Sequence, residues 1–283
     1  MTRASTPQAP PAGAAETLNA WNDIATGYDA FVTPTHFWLG GEALRRVGLR
    51  AGMRFLDVAA GSGALGIPAA RIGARVLATD ISPVMLERLA ARARDEALDL
   101  DTRVMDGHAL ELDDESFDVS GSQFGVMLFP DLPRGVRELA RVTKRGGRVL
   151  LVAYGAPDQV EFLGFFIRAV RAVVPDFVGL PNDPPPLPFQ VADPEKLRLA
   201  MTDAGLADVS VETIVETLSF DLGARMCDWV TNSNPVGRML VADLAEPQRA
   251  EVRRRLDAML RDRAGGGDTA RLTNPINIGI GVR

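Results

Sequence analysis

Residues 54–63, Arg-Phe-Leu-Asp-Val-Ala-Ala-Gly-Ser-Gly, decide how this chain is read. Phe55, Leu56 and Val58 form a short apolar run of the kind that becomes a buried strand. Gly61 and Gly63 then impose a turn, and the pattern beyond them turns helical. Glycine lets a ligand approach the backbone because no Cβ stands in the way. A helix N-terminus after such a turn offers unpaired N–H groups and a partial positive charge, which suits a nucleotide-like ligand with an anionic group. Continued to Gly66, the stretch also spells G-x-G-x-x-G, the dinucleotide pattern. Asp80 closes the next apolar run, where a carboxylate can accept from both hydroxyls of a ribose. NAD and S-adenosylmethionine both carry that ribose, so the turn alone leaves the cofactor open.

Composition narrows the field. A chain of 283 residues with 46% hydrophobic and 24% charged residues can build one large globular domain or a core with insertions. A net charge of −6 argues against a dedicated nucleic-acid binder, which needs a basic face to displace counterions. Cys227 is the single cysteine, which excludes an internal disulfide framework and any multi-thiolate metal site. No apolar run approaches the roughly 18 residues that span a bilayer. Residues 1–16, interrupted by Pro7, Pro10 and Pro11, read as a disordered tail rather than a signal peptide, and the protein as cytoplasmic.

Outward from the glycine turn, strand and helix alternate. Residues 17–50 read as a helical N-terminal lid, broken near Pro34 and at Gly40-Gly41. Strands are expected at 54–59, 74–80, 102–105, 117–123 and 147–154, and helices at 63–73, 83–97 and 132–143. Ser82 is the expected N-cap of the second helix, ahead of Pro83. Lys144-Arg145-Gly146-Gly147 is the expected glycine-rich close of the third. Repeated β-α-β units with buried strands such as Val149–Val152 imply an α/β fold with a parallel, doubly wound sheet. Past Tyr154 come an apolar helix, a proline-rich loop over 180–186, a helix at 193–204 and a strand at 209–220. Helices at 223–232 and 243–263 precede a last strand at 276–280. The arginines at 253–255 and 261 read as the solvated face of the final helix.

Four stretches in order resemble the class I S-adenosylmethionine-dependent methyltransferases, in the branch that includes the quinone C-methyltransferases. They are Asp57–Gly63, the strand end and capped helix start Asp80–Leu86, Met105–Leu110 followed by Asp114–Asp118, and Arg145–Leu150. The resemblance implies a Rossmann-like, mostly parallel seven-stranded sheet with its last strand antiparallel. Residues 51–283 would form that domain, with helical insertions at 156–192 and 222–266. It also implies roles. Ala59, Gly61 and Gly63 would bring the turn's backbone to the methionine carboxylate, with Asp57 ordering the turn or bonding the cofactor's ammonium through its neighbours. Asp80 would accept from the ribose, Ile81 and Met85 would pack on the adenine, and Asp106, Gly107 and His108 would form the adenine loop. Ser122 and Gln123 would border the methionyl group, and Tyr28 would close over the cofactor.

Methyl transfer is an in-line displacement in which the cofactor supplies the chemistry and the protein the alignment, so a base is optional. His36 and His108 are the only histidines and the weak candidates for one. No carboxylate ends the fourth strand, which argues against a metal site, and Asp113-Asp114-Glu115 reads as a solvated turn. A small organic acceptor remains, apolar or aromatic, walled by Trp38, Phe124, Phe165, Phe166, Phe189 and Trp229. Two rivals stay in play: a catalytically silent S-adenosylmethionine-binding module, and an NAD(P)-dependent oxidoreductase. The second would need a Tyr/Lys pair, and Asp158 stands where a lysine would follow Tyr154.

Overall fold

The alternating pattern folds into five parallel strands, β1 (Arg54–Val58), β2 (Arg75–Asp80), β3 (Leu100–Val104), β4 (Phe117–Gln123) and β5 (Thr143–Tyr154). In the computed structural model, which describes residues 14–180, 184–222, 225–233 and 235–283, two more strands complete the sheet. These are β6 (Ala207–Asp221) and β7 (Thr269–Val282), and the order across the sheet is β3-β2-β1-β4-β5-β7-β6. β7 runs antiparallel to both neighbours, so six strands share a direction and the last opposes them. The expected residues 1–13 of the tail and 181–183 of the proline-rich loop lie outside the described residues.

Helices cover both faces because the central strands are apolar on both sides: Phe55, Leu56, Val149 and Leu150 are fully buried. The order of strands reverses between β1 and β4, and a crevice opens there at the carboxyl ends of the strands. Helix α1 (Ala14–Gly27), a π-turn segment Tyr28–Val32 and α2 (Thr33–Val47) run continuously over that crevice. Helices α3 (Gly66–Arg71), α4 (Pro83–Asp95) and α5 (Leu132–Val142) complete the β-α-β units. Beyond β5 come α6 (Glu161–Arg171), α7 (Pro194–Asp203), α8 (Arg225–Ser233), α9 (Pro235–Leu240) and α10 (Glu246–Ala264). Arg253, Arg254, Arg255 and Arg261 are exposed, whereas Val252, Leu256 and Leu260 are buried.

Several expectations need correction. Gly40-Gly41 does not break α2; a Cβ at Gly40 would lie 2.4 Å from the Ala64 carbonyl oxygen, so glycine is there for close packing. Pro34 opens α2 rather than ending the helix before it, as proline does in a first turn. The helix expected from 63 begins only at Gly66, because Gly61 and Gly63 hold φ of 54° and 102°. Gly146-Gly147 lies inside β5, at an irregularity opposite β4 between Phe117 and Val119, and the helix closes at Thr143 instead. Strand β7 begins seven residues before the expected start, Ile276, because Pro275 within it argues against a strand on local grounds. Helix α9 was not foreseen.

Candidate active site

Every strand-end loop at the crevice contributes to one cleft with about 730 Å³ of empty space, its open mouth included. Ala59, Gly61, Asp80, Ile81, Met85, Asp106, Gly107 and His108 line one side, and Gln123, Phe124 and Gly125 the inner end. Thr17, Trp21 and Tyr28 from the N-terminal helices line the cleft as well. Those helices are fastened to α4 by an apolar contact of Ile24 and Ala25 with Met85, and by Ser82 Oγ donating to Asn22 Oδ1 at 2.7 Å. Arg92 reaches Asp29 at 2.5 Å, and Thr33 and Ser62 share a buried hydroxyl contact that ties α2 to the glycine turn.

Asp80 sits at the centre. Its Oδ2 accepts from Gly61 N at 2.9 Å and its Oδ1 from Ser82 N at 2.8 Å. A carboxylate has about four accepting positions, so capacity remains for a ligand. Burial pushes the Asp80 carboxyl above its ordinary value, against the pull of those N–H groups. Asp106 is half exposed and accepts from both the backbone N–H of His108 and its ring Nδ1. Partial burial lifts its pKa, but the two His108 contacts bring it below the usual range. The His108 ring lies 4.4 Å from that of Phe129, closing the mouth of the cleft. Tyr28 is pushed well above the ordinary phenol value, first by burial and then by the nearby Asp80 and Asp57.

Two non-glycine residues in the cleft wall, Ala59 and Phe124, adopt left-handed backbone at φ 54° and 59°. Such strain persists only where the surroundings over-determine it, and it concentrates at functional sites. The cause is visible here: a Cβ on Gly125 would lie 2.5 Å from Ala59 Cβ, so the ends of β1 and β4 are pressed together.

Three residues named for the site do not line the cleft. Asp57 is buried beneath the turn, its carboxylate 3.0 Å from where a Cβ on Gly66 would be, and burial pushes its pKa well above the carboxylate range. Gly63 faces Ile67 and Leu89 rather than the cleft. Ser122 accepts from Val126 N at 3.0 Å and caps the turn after β4. On the acceptor side, Trp38 is 61% exposed and does not line the cleft. Phe166 is core, and Phe165 packs under Arg168.

Phe124, Phe189 and Trp229 do belong to one aromatic chain that leaves the inner end of the cleft. Phe124 stacks on Tyr154 at 4.4 Å; Tyr154 meets Phe162 at 5.9 Å and Phe189 at 6.3 Å; Phe162 meets Trp229 at 4.9 Å. His36 joins it edge-on to Phe124 at 5.1 Å. Sequence reasoning missed Trp21, Phe129, Tyr154 and Glu216. Glu216 alone left a signal: it shares the buried alternate positions of β6 with Leu218 and Phe220.

Residues 56–151 match the family model described as a methyltransferase domain. An uncharacterised protein of Mycobacterium tuberculosis is 36% identical over 148 residues, 52% of each chain. The chain thus spans about half the length of the first curated relatives it matches. The ubiquinone/menaquinone biosynthesis C-methyltransferase of Bdellovibrio bacteriovorus is 31% identical over 169 residues, 57% of this chain and 72% of that one. The chain belongs to the class I S-adenosylmethionine-dependent methyltransferases. The fold of this family also appears in phosphoethanolamine N-methyltransferase 2 of Haemonchus contortus, solved with S-adenosylmethionine, at a TM-score of 0.52 and 19% identity over 87% of this chain and 52% of that one. S-adenosylmethionine is the cofactor of the family, and the residues of the cleft suit it: the lining is apolar at Ile81, Met85 and Leu128, and its buried acid has accepting positions to spare. Among the described residues no three His, Cys, Asp or Glu side chains group as metal ligands, and no helix is long and apolar enough to cross a membrane.

Proposed function

We propose that this protein transfers the methyl group of S-adenosylmethionine to a small organic acceptor, without a metal, by in-line displacement. The observation that carries the reading is Asp80: a buried acid at the end of β2 that lines the cleft and is already held by the glycine turn. Asp80 accepts from the ribose hydroxyls, and Ile81 and Met85 pack on the adenine. Asp106, Gly107 and His108 border the ring, and the backbone around Ala59 and Gly61 meets the methionyl carboxylate. The bound cofactor supplies an electrophilic methyl on a sulfonium. Tyr28 and Trp21, carried on the N-terminal helices, exclude water from it. Gln123 and Phe124 define where the methyl group points, and the aromatic chain behind them receives an aromatic acceptor. Holding the reactants in line contributes roughly 7–11 kcal/mol to lowering the barrier. The relatedness to quinone C-methyltransferases favours a ring-bearing acceptor. The reading places the protein in the cytoplasm and without nucleic-acid partners.

Calorimetry with S-adenosylhomocysteine and with NADH tests the cofactor: the first binds and the second does not. Release of S-adenosylhomocysteine together with labelled methyl incorporation into small molecules of a cell extract tests the activity. A chain that binds cofactor but never turns it over in any extract is a silent binding module, and the proposal then fails.

A further inference from the structure

Behind the aromatic chain lies a group of polar atoms with no answer inside the protein. His36 Nε2, Gln123 Oε1, both Glu216 carboxyl oxygens and both Asn274 amide atoms are buried without a hydrogen-bond partner. Buried polar atoms are nearly always paired, so several orphans in one place call for a missing partner. They are in one place. Glu216 and Asn274 face each other across β6 and β7, and His36 Nε2 is 3.6 Å from Glu216 Oε1. Gln123 Nε2 donates to the His36 carbonyl at 3.3 Å, and Gln123 itself lines the cleft. The strained Phe124, which also lines the cleft, is edge-on to His36 and stacked on Tyr154.

The chemistry of the orphans is one-sided. His36 Nδ1 lies 2.9 Å from the Val32 carbonyl oxygen, so Nδ1 carries a hydrogen and Nε2 is the ring atom turned to Glu216. Four of the six orphaned atoms are amide or carboxyl oxygens, so the group calls for a donor from outside. An ammonium would donate, but the carboxylate would hold its proton on and block its methylation. A hydroxyl group has neither defect, and the stacked rings of Phe124 and Tyr154 offer an aromatic acceptor an apolar partner.

We propose that His36, Glu216 and Asn274 form the polar end of the acceptor site, that the acceptor is a ring bearing a hydroxyl group, and that His36 is its general base. This rests on the methyltransferase reading above. The O–H bond breaks and the proton passes to Nε2. The electron pair left on the oxygen, or delocalised to the ortho carbon, bonds the methyl carbon. The methyl–sulfur bond breaks with its pair kept by sulfur; after carbon attack, the ring hydrogen leaves as a proton. The imidazolium formed faces Glu216 and is offset by its carboxylate. Tyr154 and, beyond it, Tyr28 are the other titratable groups around the pair; Glu216 raises Tyr154 after burial has done so. Burial also lifts Glu216, and His36 draws it back.

The test uses the full chain saturated with S-adenosylhomocysteine and three probes: 2-naphthol, 2-methoxynaphthalene and 2-(aminomethyl)naphthalene. Calorimetry should show naphthol binding at least tenfold tighter than either analogue, with the His36 imidazole NMR signal moving and that of His108 unmoved. H36Q and E216Q, read separately in case one misfolds, should each erase the preference while S-adenosylhomocysteine affinity stays within twofold. E212Q, an exposed acid on the same strand, should keep it. A preference for the amine, no preference, or one that survives both substitutions overturns the proposal. Failure of S-adenosylhomocysteine to bind the unaltered protein would instead overturn the cofactor reading.

Discussion

Asp80, which lines the cleft, and Glu216, which does not, are both buried acids, and their surroundings differ. Asp80 ends a strand whose next residues turn back on it, so the backbone N–H groups of Gly61 and Ser82 answer its oxygens from nearby in the chain. Glu216 sits in β6, where its own backbone is committed to β7 and its carboxylate lies 3.6 Å from His36, far away in the chain. The contrast divides the molecule. In the half built from β1 to β4, backbone N–H groups answer Asp80 and leave it accepting positions for a ligand, while both Asp57 carboxyl oxygens and Gln123 Oε1 have no hydrogen-bond partner. The half built from α2, β6 and β7 is left unsatisfied, which costs stability without a ligand and rewards one that brings a donor.

The contrast can be broken at its strongest point by Asp80→Ala. Hydrogen bonds to a charged acceptor contribute about 1.5–3 kcal/mol, so S-adenosylmethionine affinity should fall about 10- to 100-fold by calorimetry. An unchanged affinity would leave the first half without its central contact. Gly40→Ala acts next, by driving a methyl group into the Ala64 carbonyl. Overpacking of this kind costs about 1–3 kcal/mol, and a melting curve should register a drop of several degrees, together with weaker cofactor binding as α2 lifts.

A pH series sharpens the comparison further. Asp57, Asp80 and Glu216 all hold their protons more tightly in the folded, ligand-free protein than in the unfolded chain. The folded state therefore binds more protons above the ordinary carboxylate range near 4, and its stability should decline as pH rises from there through the raised values. Urea denaturation of the ligand-free protein from pH 5 to 8 checks this, and Asp57→Asn should flatten the decline. Smallest of all are changes at the rim. Asp106→Ala, at a half-exposed acid already occupied by His108, should weaken cofactor binding only about two- to fivefold, since exposed charge contacts contribute about 1 kcal/mol or less. Trp38→Ala should leave it within twofold, because that side chain points to solvent.

Much of the first half was legible because its signals are local. Gly61, Asp80 and Gly107 line the cleft where the family resemblance put them, and Ser82 caps α4 as its side chain and Pro83 announced. The misses have physical causes. Gly40 and Gly146 look like breaks in a linear reading, but one is a packing contact and the other a bulge, and both depend on a distant strand or loop. Ser122 and Gly63 carry the right residue types at the right spacing while facing away from the cleft. The acceptor-side list fared worst, because an aromatic on a buried helix face gives no sign of which neighbour it touches: Phe162 joins the chain of rings and Phe166, one turn on, does not.

By itself the sequence determined the α/β alternation, the glycine turn and the acid that answers it, since each depends on residues a few positions apart and on backbone conformations that glycine and proline dictate. Only the tertiary structure decided that His36, Glu216 and Asn274 meet. Their juxtaposition requires β7 to insert antiparallel between β5 and β6 and α2 to lie across their ends. Long-range strand pairing of that kind is selected by the whole hydrophobic pattern and by burial, and no local propensity encodes it.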